Sequence, residues 1–598
     1  MTGPVLRAVW LGSRTILAAG PVAEGDRAAA GDITLETKAA AYERDGAPGA
    51  VVLAHLPPGA AGGDATVLAI GEARAGVPEL GPGDQALQAL IRNELSGLDA
   101  AQRARLLEFV LAGAAGDLRG PGAIAMAGRL ARLRDGLREQ LPRTVATDDD
   151  PYAVELEAIY ALDDESFWVR GWLHDADDAV ESLVAVSPEG ARADLLSGAY
   201  RHERLDIQER FSAFGGAPDE RHGFMALLSL PAPSHLPGGW IVELRTASGV
   251  ALEVEGPEVE RRLERTRAHL LHHMSVERPS SDELVAGHIH PALQRIQAQL
   301  EAAVKVETVV DVGDQVPRTP EVSVIVPLYK RIDFVEHQLA HFAVDPEMAE
   351  AEIIYVLDSP EIADNLLDSV NALSVLHRIS LRVAVMASNA GFSGANNAAV
   401  SVARGRRIVL LNSDVIPDRP GWLGKMSAFY DATPGIGALG PKLLYEDDSL
   451  QHAGMYFHRP PGARAWANHH YFKGMHRTFP AANVARAVPA VTGACMMIDR
   501  DLYEEAGGLS HAYVQGGYED SDLCLRLIEM GRENWYMPGA ELYHLEAQSF
   551  TAERRKPAAA YNVWLHTKTW SDRIESVARD YGGHPLTGKA SAVAEPSR

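Results

Sequence analysis

Four short apolar runs, separated by stretches of helical spacing, organise the second half of the chain. Val322-Ser-Val-Ile-Val326 ends at Pro327, and Glu352-Ile-Ile-Tyr-Val-Leu357 ends at Asp358. Leu381-Arg-Val-Ala-Val-Met386 precedes Asn389-Ala-Gly391-Phe392-Ser-Gly394-Ala-Asn396-Asn397, and Arg407-Ile-Val-Leu-Leu411 stops at Asn412-Ser413-Asp414. Unbroken apolar runs of this length read as strands buried on both faces of a parallel sheet. Helical spacing fills the intervals over Asp333 to Phe342, Glu361 to Leu376, and from the glycine loop to about Arg404, where Gly405 is the expected stop. Strand alternating with helix predicts an α/β fold, a doubly wound, mostly parallel sheet over 318–575. In such sheets ligands bind outside the carboxyl ends of the strands. Asp358, Asn389 and Asp414 all follow strand ends, so they are expected on one rim. The Gly391–Gly394 loop opens a helix whose first amides suit a phosphate or a base. It lacks both the P-loop lysine and the full dinucleotide fingerprint.

The first half reads differently. Apolar segments Val5–Trp10, Ile33–Thr37, Val51–Leu56 and Thr66–Ile70 alternate with Gly/Pro/Ala joints, which predicts a β-rich region over 1–80. Helical spacing over 81–150 carries no evident chemistry. Over 151–257 short strands between turn signals predict a β-sandwich-like accessory domain, with Trp240–Arg245 and Val250–Val254 as a hairpin. Phe167, Trp168 and Trp172 are assigned to its core in preference to a sugar-stacking platform. A helical connector and linker is expected over 258–317 and a flexible tail over 576–598. His269, His272, His273, His288 and His290 in that connector are read as solvated helix residues rather than as a metal site.

Composition narrows the function. A hydrophobic fraction of 46% and a charged fraction of 23% are ordinary for a soluble globular protein. The net charge of -25 opposes nucleic-acid binding, which needs basic residues to neutralise phosphate. No apolar run approaches the roughly 20 residues of a membrane-spanning helix. Cys495 and Cys524 sit in apolar contexts and read as buried free thiols, so a cytoplasmic location is expected. Peripheral association with the inner face of a membrane and homo-oligomerisation stay open.

Taken in order, these features resemble the inverting glycosyltransferases of family 2, which have the GT-A nucleotide-sugar-binding fold. The resemblance continues through Thr492-Gly493-Ala494, Gly507-Gly508, Tyr518-Glu519-Asp520-Ser-Asp522-Leu-Cys-Leu-Arg526, and Tyr543-His544 with Ser549. The nearest subset comprises rhamnosyl- and galactofuranosyl-type transferases of bacterial surface polysaccharides. This resemblance implies that Pro327, Tyr329, Asp358, Asn389, Gly391, Phe392, Asn396, Asn412 and Ser413 line the nucleotide-sugar pocket. Asp414, the last acid of a DxD-like motif, and His544 would bind a divalent cation. Asp520, with Glu519 beside it, would supply the general base. The sequence departs from the family at Leu357-Asp358, where an acidic pair is usual, and at Asn412, where the first acid of DxD is usual.

The chemistry agrees with those residue types. A departing diphosphate gathers negative charge, which a hard cation stabilises as a Lewis acid. Carboxylate oxygen suits Mg²⁺ or Mn²⁺, and an imidazole ligand tilts the choice towards Mn²⁺. An incoming hydroxyl needs a base on the opposite face of the sugar, and a single displacement inverts the anomeric centre. The expected partners are a nucleotide-diphosphate sugar and a glycan or lipid-linked acceptor, with no nucleic acid. Two rival readings remain: a catalytically silent carbohydrate-binding or scaffold protein, and a nucleotidyltransferase on a similar sheet, for which Lys330-Arg331 would be the basic loop.

Overall fold

A computed structural model describes residues 6–57, 67–114 and 152–274 with short interruptions, part of 126–133, all of 282–545, and 552–581. The chain forms two compact units: Met1–Ala268 with Ser281–Ala292, and His269–Ser280 with Leu293–Arg598.

In the first unit, two four-stranded sheets lie within residues 7–76. Side chains alternate across a strand. Trp10, Ile16 and Val52 therefore pack towards the second sheet, while Val9, Leu17 and Leu53 pack on helical residues such as Leu106 and Val110. Residues 152–260 form a five-stranded and a four-stranded sheet, antiparallel but for one edge pairing, whose facing side chains share one core. Phe167 packs edge-on against Trp240 in that core, with ring centroids 4.9 Å apart. Trp168 and Trp172 are equally buried, so none of the three aromatics offers a face for a sugar. The hairpin strands Ile241–Thr246 and Ala251–Glu255 pair as predicted, and their turn, 248–250, lies outside the described residues. The solvated reading of the histidines holds least well at His288, which is buried; His269, His273 and His290 are half-buried and His272 is exposed.

The second unit is built on an eleven-stranded mixed sheet. Its strands are β1 (Val306–Val312), β2 (Val322–Leu328), β3 (Glu352–Leu357), β4 (Leu381–Met386), β5 (Arg407–Leu411), β6 (Val415–Pro417), β7 (Ile436–Leu444), β8 (Leu450–His452), β9 (Arg486–Val488), β10 (Cys495–Asp499) and β11 (Glu533–His544). The order along the sheet is β1-β4-β3-β2-β5-β10-β7-β11-β6, with β8 on β7 and β9 on β11. Strands β4, β3, β2 and β5 are mutually parallel, as predicted, and β10 then joins antiparallel. Helices α1 (Asp333–Ala343), α2 (Ala363–His377) and α4 (Trp422–Ala432) cover one face. Helix α3 (Gly391–Val402), α5 (Arg500–Glu505) and α6 (Glu519–Glu529) cover the other, joined by α7 (Ala552–Tyr581). Alternate strand residues feed the two cores: Ile325, Ile354 and Leu410 on the α3 side, Val324, Ile353 and Val409 on the α1 side.

Two details correct the sequence reading. Val306–Val312, inside the expected connector, is the edge strand of this sheet and pairs antiparallel with β4. Gly405 does follow α3, but its backbone is not left-handed. A Cβ there would stand 2.6 Å from the Ser323 backbone nitrogen, so the glycine permits close packing against β2 rather than a helix cap. Of the expected tail, residues 576–581 are the last turns of α7, and 582–598 lie outside the described residues.

Candidate active site

Where β5 ends, the chain must turn sharply, and α1 holds that turn. Buried Gln338 donates its amide to the carbonyls of Asn412 (3.0 Å) and Val415 (2.8 Å), and Tyr355 donates its hydroxyl to Gln338 Oε1 (3.2 Å). Asn412 and Ser413 are half-buried, and Asp414 is buried at the next position. Val415 pairs with His544 at the end of β11, and Leu545 donates its backbone N–H to the Asp414 carbonyl (3.0 Å). Asp414 Oδ1 consequently lies 3.3 Å from His544 Nε2. The other imidazole nitrogen, Nδ1, is 2.7 Å from Gln451 Oε1.

That pair fits a divalent cation. Two ligands at about 2.1 Å from an octahedral metal are roughly 3 Å apart, close to the observed separation. With Nδ1 turned to Gln451 Oε1, Nε2 is the ring nitrogen that faces Asp414. Among the described residues no group of three or more His, Cys, Asp or Glu side chains converges. Asp414 and His544 are therefore the two side chains at this turn that could hold a cation.

A second carboxylate reaches the same rim from α6. The turn before that helix is left-handed through Gly516, Gly517 and Tyr518, with φ +86°, +110° and +80°. It is clamped by Asn562 of α7, whose amide donates to the carbonyls of Val514 (3.0 Å) and Gly517 (3.1 Å) and accepts from Val514 N–H (2.9 Å). Asp520, half-buried in the first turn of α6, accepts the Gly493 N–H at Oδ2 (2.9 Å) and the Ser521 N–H at Oδ1 (2.7 Å). One residue away, the Ala494 carbonyl accepts the Asn412 N–H (2.9 Å). The Asn412–Asp414 turn, Thr492–Ala494 and the start of α6 are thereby stitched together through the main chain. A side chain at Gly493 would meet Asp520 Cβ at 3.4 Å and the Phe392 ring at 3.8 Å, so α3 closes on the same place.

The two neighbouring acids are not equivalent. Burial pushes the Glu519 carboxyl up to about 8, helped by the charge of Asp520. Burial also raises Asp520, but N–H donors from Gly493 and Ser521 pull the other way and favour its ionised form. Glu519 Oε2 is buried without a hydrogen-bond partner among the described residues, as suits the acid that keeps its proton. Asp522 is structural: it binds Arg526 (2.7 Å), Trp570 Nε1 (2.8 Å) and the Tyr513 hydroxyl (3.2 Å).

On the nucleotide side the expectations divide. Pro327 and Tyr329, at the end of β2, are half-buried; the Lys330 ammonium sits 5.0 Å from the Tyr329 ring, and Arg331 pairs with Asp333. Asp358 needs correction. It is buried, and its carboxylate already accepts N–H groups from Ala390 (2.5 Å), Gly391 (2.9 Å) and the Asn389 side chain (2.7 Å). Its work is to hold the loop that starts α3, not to reach out to a base. Burial pushes its pKa up to about 7 against the pull of those donors. Asn396 is likewise turned inward, donating to the Phe392 carbonyl (2.9 Å) in full burial. Asn389, Gly391 and Phe392 remain accessible at the loop. Asp358→Ala would strand the Ala390 and Gly391 N–H groups and is expected to cost about 1–3 kcal/mol in denaturant unfolding, with weakened nucleotide binding; unchanged stability would contradict the capping role.

Sequence reading missed Gln338, Gln451 and Asn562, amides whose partners lie far away in the chain and which carry no spacing signal. The segment from Gln451 to Val488, rich in aromatic and basic side chains, is likewise fixed by contacts that no spacing marks. Arg477 pins that segment through Asp418 (2.7 Å), Asp448 (2.9 Å), Glu541 and the Tyr543 hydroxyl (3.1 Å). Trp466, buried, donates its Nε1 to Ser571 of α7 (3.1 Å). Ser549 lies outside the described residues.

Comparison with known proteins bears on the same segment. Residues 319–562 match the sequence model described as glycosyltransferase like family 2. An uncharacterised protein, y4gI of Sinorhizobium fredii, is 32% identical over 232 residues, which is 39% of this chain and 25% of the relative. The O-antigen biosynthesis protein RfbC of Myxococcus xanthus is 26% identical over 293 residues, 46% of this chain and 22% of the relative. The chain therefore spans a quarter or less of the length of either protein. Among solved structures, GalNAc-T7 with UDP, GalNAc and Mn²⁺ aligns over 42% of this chain and 49% of its own, at 13% identity and a TM-score of 0.34. The mannosyltransferase PcManGT from Pyrobaculum calidifontis, in complex with GDP-Man and Mn²⁺, aligns over 54% and 89%, at 17% identity and a TM-score of 0.29. Residues 319–562 of this chain are a glycosyltransferase family 2 domain.

Proposed function

We propose that the chain is a cation-dependent inverting glycosyltransferase, moving a sugar from a nucleotide diphosphate to a hydroxyl of a glycan or carrier-linked acceptor. The observation that carries this reading is the rim itself: the Asp414–His544 pair and the Asp520 carboxylate are joined through two hydrogen bonds, Asn412 N–H to the Ala494 carbonyl and Gly493 N–H to the Asp520 carboxylate. A cation held by Asp414 and His544 would neutralise charge on the departing diphosphate. Asp520 accepts the proton of the attacking hydroxyl at a carboxylate oxygen, while Glu519 retains its own and so keeps the paired charge low. The loop that opens α3, its first amides already held by Asp358, offers Phe392 to the donor. The likeness to an O-antigen biosynthesis protein supports a role in surface-polysaccharide assembly. Among the described residues no helix is long and apolar enough to cross a membrane.

The test is stereochemical. The full chain is incubated with Mn²⁺ and a panel of UDP-, GDP- and dTDP-sugars, and the released or transferred sugar is followed by proton NMR as it forms. Its first-formed anomer is expected to be opposite to that of the donor. Retention of configuration, or no turnover with any donor by hydrolysis or transfer, would overturn the proposal.

A further inference from the structure

We infer that Gln451 is a positioning residue that fixes His544 in the form able to ligate a cation beside Asp414. The inference rests on the cation reading given above and deepens it. Gln451 lies at the centre of β8, 3% exposed, and reaches across the sheet to the end of β11. Its Oε1 is 2.7 Å from His544 Nδ1, a short hydrogen bond that seats the ring proton on Nδ1. A neutral imidazole then presents a lone pair at Nε2. That lone pair faces a carboxylate oxygen 3.3 Å away, and two such electron-rich atoms sit together only with positive charge between or upon them. A divalent cation supplies that charge with the ligand separation found here.

A ring without this tether could rotate or place its proton on Nε2, where it would donate to Asp414 and close the site to a metal. Histidine ligands commonly donate their second nitrogen to an oxygen acceptor, and loss of that acceptor typically weakens metal binding about 10–100-fold. An amide acceptor leaves the ligand less basic than a carboxylate would, which suits a cation that must also release its diphosphate. The surroundings make the tether rigid. Neighbouring Leu450 and His452 pair with Leu444 and Leu443 of β7, which in turn pair with Tyr543 and Leu542 of β11. Gln451 and His544 are thus fixed on strands separated only by β7.

The experiment is Mn²⁺ binding to the full-length protein, followed by the electron paramagnetic resonance of free Mn²⁺, for Q451L, Q451E, H544A and the double variant H544A/Q451L. Q451L is expected to weaken binding about 10–100-fold, and Q451E, which restores an acceptor, to bind as tightly as the parent or more so. In the H544A background, adding Q451L should change nothing further. Electron spin-echo modulation from the imidazole nitrogen should be present in the parent and in Q451E, and lost in Q451L. Parent-like binding by Q451L, or an equal loss in the H544A background, would overturn the inference while leaving the cation site intact. If D414A and H544A both bound Mn²⁺ like the parent, the cation reading would fail, and Gln451 with it.

Discussion

Asp520→Asn is expected to abolish transfer while leaving the protein folded. The amide keeps the shape and one acceptor oxygen but cannot take a proton, and loss of general-base catalysis costs about 10²–10⁴-fold in turnover. Nucleotide-sugar binding should be nearly unchanged, because Asp520 is tied to Gly493 and Ser521 rather than to the α3 loop. The pH profile carries a second signature. Burial raises the Asp520 carboxyl above its ordinary value, so turnover should decline as pH falls through a point higher than the usual carboxylate range near 4. The stability effect has the opposite sense. A carboxyl with a raised pKa in the folded state binds its proton more tightly there than when unfolded, so it favours folding at low pH and opposes it once ionised. The Asn variant sheds that unfavourable ionisation but leaves one of the two N–H donors without an acceptor, so its denaturant midpoint at neutral pH should stay close to the parent's. Turnover of the Asn variant within a few-fold of the parent would remove Asp520 from the base role.

Asp414→Ala should act at the other end of the reaction. It removes the carboxylate half of the cation pair and leaves His544 alone, costing several kcal/mol of transition-state stabilisation, roughly 10³-fold in rate. Unlike the Asp520 variant, it should raise the Mn²⁺ concentration needed for half-maximal turnover and weaken donor binding measured with Mn²⁺ present. Donor binding without metal should be low in both parent and variant. The decisive comparison is a Mn²⁺ titration of donor binding for the two proteins side by side. Coincident curves would dissociate Asp414 from the metal.

How far the sequence carried these conclusions differed between strand and turn. Strands β2 to β5 are buried on both faces, so their apolar runs are unbroken and their ends fall within two residues of expectation. The edge strand Val306–Val312 is half solvated, with Glu307 and Asp311 among its residues, and shows no such run. Polar residues at strand ends were harder to read, because two duties look alike in one dimension. Asp414 sits at a strand end beside the His544 imidazole, whereas Asp358 sits at one to satisfy the first amides of α3. Only the three-dimensional accounting of donors separates them. Asp414 and Asp520 lie too far apart for spacing to link them, and the ordered motifs of a family made the connection. Gln451 and Asn562 had no motif to mark them, since an amide that steadies another residue can come from any element that passes nearby.

The two links that bring the reacting groups together run from backbone to backbone or from backbone to carboxylate, at Asn412, Gly493 and Ala494. Main-chain geometry survives most changes of side chain. A domain wired in this manner can vary its surrounding loops without disturbing the spacing of Asp520 from Asp414 and His544. Divergence in those loops is then cheap, and the rim itself is inherited unchanged.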